Sequence, residues 1–417
     1  MVARYLWHNI DNVKKLMKIF FIVILFFSVL SGVYFLEKEN LGNPAFSSVD
    51  LEITQYSDRH ITDNAKTKDE RFRQVAFAEP SYSGRNLFNE QLALVWDIFR
   101  SIFFPKSTEI NNELVSANQK EYGTWVWTPT MSLTPEYMRS TLDDLKKEGV
   151  NVVYLSIDSY LDIYVLPEGP EKIEKQNIFS GILEEFIILA KERGIAVDAE
   201  AGWQNWAEEG HTYKAFAIAS FVKNFNEKHV NKFRGFQYDV EPYMLESYRA
   251  SEKGKKKALT EFTKLTDQTV EYLVDSELRF SIVIPDFYDK RDGKTPGFFY
   301  NNKKDFAFQH LLRVLEKKPG SSIIVMSYRN FARGMDGSID VSKNEMKTAS
   351  SARSNSKIIL AQETGDVPPS YITFHNTSKD YFREETNKLS SAFSDNPHFA
   401  GLAIHYANAF ISLTASK

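Results

Sequence analysis

The chain has 417 residues, a formal charge of −4 and 43% hydrophobic residues with only 19 Gly and 14 Pro, which excludes a disordered, collagenous or low-complexity polymer. Cysteine is absent, so no disulfide framework, thiolate nucleophile, Cys-ligated zinc or iron–sulfur cluster can form. The balance lacks the basic excess of a nucleic-acid partner, while 14% aromatics (32 Phe, 20 Tyr, 6 Trp) is a surplus that core filling must account for first.

Lys14, Lys15 and Lys18 precede Ile19–Leu36, a stretch without a charged residue, and Glu37-Lys38-Glu39 follows it. At a rise of 1.5 Å per residue such a stretch nearly spans a bilayer core of roughly 30 Å. The expectation is a cytoplasmic segment 1–18, a single transmembrane anchor at 19–36, and the rest of the chain extracytoplasmic, in the periplasm or at the cell surface. A cleaved signal sequence is the rival, and it leaves the protein secreted. Residues 37–118 read as a polar stem, with amphipathic spacing at Leu87–Phe104.

From residue 119 onward, short apolar runs alternate with helical-period segments. The runs are Gly123–Trp127, Val152–Ile157, Ile195–Ala199, Gly235–Val240, Phe280–Ile284, Ile323–Ser327, Lys357–Ala361 and Ala400–Ile404. Helices are expected at Pro135–Glu148, Phe179–Arg193, Tyr213–Lys228, Lys255–Val274, Phe306–Lys317, Val341–Ser351 and Ser378–Phe393, with a short one after the last strand. Gly149, Gly194 and Pro319-Gly320 stand where helices should stop. Strands this apolar belong to a parallel sheet covered on both faces, and eight units predict a (β/α)₈ TIM barrel over 119–417. No Gly-rich dinucleotide loop follows the first strand, which removes the doubly wound alternative.

Barrel chemistry is built at the carboxyl ends of the strands. In order these ends offer Trp127; Asp158; Glu200 with Trp203 and Trp206; Asp239, Glu241 and Tyr243; Asp286 and Tyr288; Tyr328 and Arg329; Glu363; His405 and Tyr406. Carboxylates and large aromatics share one rim. Sugars present apolar ring faces for stacking, and glycosidic bonds are cut by carboxyl groups, one of which protonates the leaving oxygen. A metal-dependent hydrolase needs several rim histidines, and only His405 is well placed; no metal or other cofactor is expected. No Gly-x-Ser-x-Gly elbow occurs.

The sharpest local signal is Gly235-Phe236-Gln237-Tyr238-Asp239-Val240-Glu241. Strand alternation puts Asp239 and Glu241 on one face, and like charges that close raise the pKa of one partner. This stretch resembles the fourth-strand signature of family-18 glycoside hydrolases, the chitinase superfamily, whose pattern is Asp-Gly-hydrophobic-Asp-x-Asp-x-Glu. Gly235, Asp239 and Glu241 match it; Arg234 and Gln237 stand at its first two aspartates. Met326-Ser327-Tyr328 is similar to that superfamily's sixth-strand Met-x-Tyr, with Arg329 in place of the usual Asp. The resemblance implies that Glu241 is the general acid/base, that Asp239 orients a substrate N-acetyl group acting as internal nucleophile, and that Tyr328 supports that group.

A second scheme uses Glu241 with Glu363, at the ends of strands four and seven, as acid/base and nucleophile; carboxyl separations of about 5–5.5 Å or 6.5–9.5 Å distinguish retention from inversion. Competing structural readings pair Asp239 and Glu241 with Arg234 or Arg329, make Asp198 and Glu200 salt-bridge residues, turn Glu363 into a surface-loop residue, and use Trp125 and Trp127 as barrel filling. The sequence thus points to an anchored glycosidase acting on an extracytoplasmic polysaccharide, amino-sugar polymers included. Glu241, Asp239 and Glu363 are its candidate catalytic residues; Trp127, Glu200, Trp203, Trp206, Tyr243, Asp286, Tyr288, Tyr328, Arg329, His405 and Tyr406 are candidates for substrate binding. The alternative is a catalytically silent, chitinase-like sugar-binding protein.

Overall fold

The computed structural model describes residues 120–289, 293–352 and 354–414. The expected anchor and stem lie outside the described residues; among the described ones no helix is long and apolar enough to cross a membrane. The architecture is a closed barrel of eight parallel strands. In chain order these are β1 (Glu121–Val126), β2 (Val152–Ser156), β3 (Ala196–Ala201), β4 (Gly235–Tyr238), β5 (Arg279–Pro285), β8 (Ser322–Met326), β9 (Lys357–Glu363) and β10 (Phe399–His405). An antiparallel pair, β6 (Phe298–Tyr300) and β7 (Lys303–Asp305), sits outside the barrel between β5 and β8.

All eight expected strands form, and β10 closes on β1. At that seam the β10 register shifts between Phe399 and Gly401. A Cβ on Gly401 would fall 1.9 Å from the Glu121 carbonyl oxygen, and its φ is +140°, so only glycine fits the closure. The helices are α1 (Pro135–Lys147), α2 (Tyr160–Tyr164), α3 (Pro170–Glu192), α4 (Thr212–Lys228), α5 (Glu246–Ala250), α6 (Glu252–Leu273), α7 (Ala307–Leu315), α8 (Ser338–Ala352), α9 (Lys379–Ala392) and α10 (Ala407–Ser412). Helix α1 opens on Thr134, whose side chain accepts from the Tyr137 N–H, with Pro135 in the first turn. Ser251 and Ser378 cap α6 and α9 in the same way.

Helix α3 starts at Pro170, nine residues before the expected Phe179, because Pro170 is pre-set for a first turn and Lys172 is pinned there to the Tyr164 carbonyl at 2.9 Å. The β6–β7 hairpin and the short helices α2 and α5 were not expected. Asn301 and Asn302 make the hairpin turn with φ of 47° and 60°, and such a pair is a legible turn signal.

Two apolar cores follow from strand alternation. Inside the barrel lie Trp125, Val152, Tyr154, Val283, Ile324, Ile359 and Ala403, with Met326, Tyr328 and Tyr406 packed against them toward the mouth. The larger core joins the outer strand faces to the helices. The interior also carries a polar chain: Trp125 Nε1 donates to Gln237 Oε1 at 2.7 Å, and Gln237 Nε2 donates to Ser281 Oγ at 3.3 Å. At the amino-terminal floor, Arg234 grips Asp198 through two bonds of 2.8 and 2.6 Å and reaches Glu121 at 3.0 Å.

Candidate active site

Inward positions recur every second residue along a strand. On β2, β3 and β4 they run Tyr154, Ser156, Asp158; Asp198, Glu200, Gly202; Gly235, Gln237, Asp239. The register aligns Ser156 with Glu200 and Glu200 with Gln237. At the mouth, the Gly202 N–H donates to Asp158 Oδ1 at 3.2 Å, and the Asp239 N–H donates to the Ala201 carbonyl at 3.1 Å. A Cβ on Gly202 would lie 1.9 Å from the Asp239 carbonyl oxygen. The missing side chain lets the ends of β3 and β4 approach and leaves Asp158, Glu200 and Asp239 around one spot.

Burial pushes the Asp158 carboxyl up to about 7, partly offset by the Gly202 N–H and the Ser156 hydroxyl. Glu200 is held well above the ordinary carboxylate range, first by burial and then by the charges of Asp158 and Asp239; Ser156 and Trp127 hydrogen-bond it and offset part of the shift. Asp239 is raised by burial and by its neighbours Glu241 and Asp158. Glu241 is raised by burial, with the Tyr243 hydroxyl and His405 pulling the other way. Tyr243 donates its hydroxyl hydrogen to Glu241 Oε1. The mouth therefore keeps carboxylic acid present near neutral pH, which is what a proton donor requires.

Strand β4 ends at Tyr238, so Asp239 and Glu241 do not share a face of regular strand as alternation suggested. Glu241 stands instead just before a 3₁₀ turn, Pro242–Met244, and the two carboxyls still feel one another. The competing pairings with arginine are not formed. Arg234 is engaged at the floor, and Arg329 bonds Asp336 at 2.9 Å, the Tyr328 carbonyl at 2.7 Å and Asp286 at 3.5 Å. Asp198 is the salt-bridge residue of the β3 pair, whereas Glu200 belongs to the mouth. Arg329 and Asp286, both expected as sugar contacts, lie 3.5 Å from one another at the rim.

Glu363 is not a surface-loop residue. It ends β9 at 3% exposure, with His405 Nδ1 at 2.6 Å from Oε2 and the Gly365 N–H donating to Oε1 at 2.6 Å. The Tyr328 hydroxyl sits among Glu363, Asp239 and Glu241, whose charges add to burial in raising its pKa. The structure thus gathers Glu200, Asp239, Glu241, Tyr243, Tyr328, Glu363 and His405 at one mouth.

The aromatics divide. Trp127 is 42% exposed and stacks on Tyr406 with centroids 5.6 Å apart and planes 16° apart, with His405 edge-on at 4.5 Å. Trp203 is 50% exposed at the end of β3. Trp206 is a correction: at 1% exposure it meets Tyr238 edge-on at 5.9 Å, and no sugar can reach it. Tyr238 points outward to Thr269 of α6. Tyr288 is also buried, standing beneath Tyr243 at 6.4 Å as a support of the wall. Asp158 ends its strand as plainly as Glu200 does; its position at a strand terminus was the signal that should have placed it in the site. Tyr371, exposed beyond β9 with the Arg329 guanidinium 5.8 Å from its ring centre, gave no such signal. A cavity of about 850 Å³ lies elsewhere, lined by His211, Tyr213, Leu245, Ser247 and Lys257, and no mouth carboxylate borders it.

No family model matches the chain, and no curated protein matches it. Solved structures do. An endo-β-1,4-mannanase from Thermotoga petrophila is similar at 12% identity and TM-score 0.45, over 70% of this chain and 68% of that one. A GH18 chitinase from Pseudoalteromonas aurantia gives 13% and 0.43, over 69% of this chain and 93% of its own. A GH5_18 structure from Bifidobacterium longum subsp. longum in complex with Manb1-4GlcNAc gives 14% and 0.44, over 68% of each chain. This chain is a closed eight-stranded parallel barrel of the TIM type.

Proposed function

We propose that the protein is a glycoside hydrolase acting on a polysaccharide, with Glu241 as the proton donor. The observation that carries this reading is a carboxyl group at the barrel mouth whose burial favours its protonated form, set beside Asp239 and bounded by exposed aromatic faces. Glu241 gives its proton to the glycosidic oxygen as the bond to the anomeric carbon breaks, and then takes one from the incoming water. Asp239 and Tyr328 hold the reacting sugar; for an amino-sugar polymer they bear on the acetamido group. Trp127, Tyr406 and Trp203 present faces for neighbouring sugar rings. Residues 19–36 anchor the chain so that the barrel works on the extracytoplasmic side.

The test is release of reducing ends from a panel of neutral and amino-sugar polysaccharides. Glu241→Gln lowers the rate on the order of 10³-fold, while sugar binding and the melting temperature stay unchanged. Undiminished release by that variant sinks the assignment, and binding without release by the wild type favours the silent sugar-binding protein.

The His405 contact on Glu363 favours one alternative route, in which Glu363 is the nucleophile held for attack. In that case Glu363→Gln loses as much rate as Glu241→Gln, and the variant traps no glycosyl-enzyme. On the substrate-assisted route Asp239→Asn takes that place, and Glu363→Gln loses about 10-fold or less.

A further inference from the structure

Gln237 of β4 bonds Trp125 and Ser281 rather than the carboxyl of Asp239 above it. The neighbours that face it come from other strands. Asp158 lies two residues beyond β2, Glu200 of β3 stands one inward step below Gly202, which follows that strand, and Gly202 contributes no side chain between them. Glu200 is 3% exposed, and its Oε2 has no hydrogen-bond partner; Asp239 Oδ1 likewise has none. Two buried acceptor oxygens without donors, in one carboxyl cluster, are costly unless a proton lies in the set.

We propose that Asp158, Glu200 and Asp239 form one proton-sharing set across the ends of β2, β3 and β4, in which Glu200 is a positioning residue whose acid O–H turns the Asp239 carboxyl toward the reacting sugar. The catalytic consequence rests on the glycosidase reading; the shared proton does not. Glu200 stays neutral at working pH, so Asp239 alone carries the charge that faces substrate. Like charges this close cannot all ionise, and the raised pKa values of all three agree with that. The groups facing the set are Trp127 from β1, Ser156 from β2, Glu241 and Tyr243 beyond β4, and Tyr328 beyond β8. His405 of β10 faces Glu241, and Glu363 of β9 faces Tyr328. Among the described residues no arginine or lysine pairs with the three carboxyls.

Two measurements on the full chain test this. The first needs no substrate: the infrared difference spectrum between wild type and Glu200→Gln at pH 7, read in the carbonyl region of protonated carboxyls. A band present in the wild type and missing from the variant is expected, and Asp158→Asn moves its disappearance to lower pH by removing a like charge. No difference between wild type and Glu200→Gln overturns the proposal. The second is the pH profile of kcat/KM for reducing-end release. Glu200→Gln, an isosteric neutral donor, keeps kcat within about 3-fold, while Glu200→Ala lowers it by about 10- to 100-fold with KM little changed.

The alkaline limb also changes, from the loss of two protons in the wild type to one in Glu200→Gln. Equal losses in the Gln and Ala variants with unchanged pH profiles mean a structural role only and overturn the proposal. A wild type with the infrared band but no hydrolysis of any polysaccharide leaves the shared proton standing and removes the glycosidase reading instead.

Discussion

The two ends of one barrel treat buried carboxylates in opposite ways. At the floor, Asp198 and Glu121 share Arg234, with Arg279 3.8 Å from Glu121, so each charge has a cation. At the mouth, Asp158, Glu200, Asp239 and Glu241 are crowded together, and among the described residues no lysine or arginine pairs with them. The same residue types are thus satisfied at one end and left raised and under-partnered at the other. A floor of that kind fixes the barrel; a mouth of that kind holds protons in reserve, and such groups cluster where chemistry is done.

The contrast breaks most forcibly at Arg234. Arg234→Ala strands Asp198 in a dry interior and lowers stability by about 3–5 kcal/mol in a denaturant melt. Asp158→Asn at the mouth does the reverse at neutral pH. A carboxyl whose folded pKa lies above its unfolded value binds more protons when folded. Its contribution is therefore full below about pH 4, the unfolded value, and is lost as pH climbs to about 7, the folded one. The wild type weakens across that window, and Asp158→Asn flattens the decline; a steeper decline in the variant contradicts the account.

Two tryptophans three positions apart sharpen the same distinction. Trp206→Ala empties a site between the barrel and its helices and destabilises by about 3–5 kcal/mol. Trp203→Ala leaves stability within about 0.5 kcal/mol and raises KM for an oligosaccharide by about 2- to 10-fold, read by urea melts and initial rates. Matching effects on stability would erase the difference between wall and platform.

Much of this was legible in the sequence, for physical reasons. Strands buried on both faces are apolar throughout, so all eight stood out, and Gly149, Gly194 and Gly320, with φ of 84°, 69° and 79°, marked the turns before β2, β3 and β8. The strand ends located Asp239, Glu241 and Glu363. What the pattern could not carry was side-chain direction past a strand end. Trp203 and Trp206 occupy one short loop, yet a 3₁₀ turn at Gln204–Ala207 sends one outward to solvent and the other into the core. The Arg329–Asp336 pair was equally hidden, because Asp336 comes from a later loop residue with φ of 64°, a geometry no periodicity encodes.

The aromatic surplus resolves along the same line. Trp125, Tyr154, Trp206, Tyr238 and Tyr288 are buried, whereas Trp127 and Trp203 keep open faces beside the carboxylates. The most direct test of the mouth as a catalytic centre is the rate of reducing-end release by Glu241→Gln relative to wild type, measured at equal folded fraction. The account predicts a loss on the order of 10³-fold with the melting temperature unchanged. A variant that is equally folded and hydrolyses polysaccharide as fast as the wild type contradicts it.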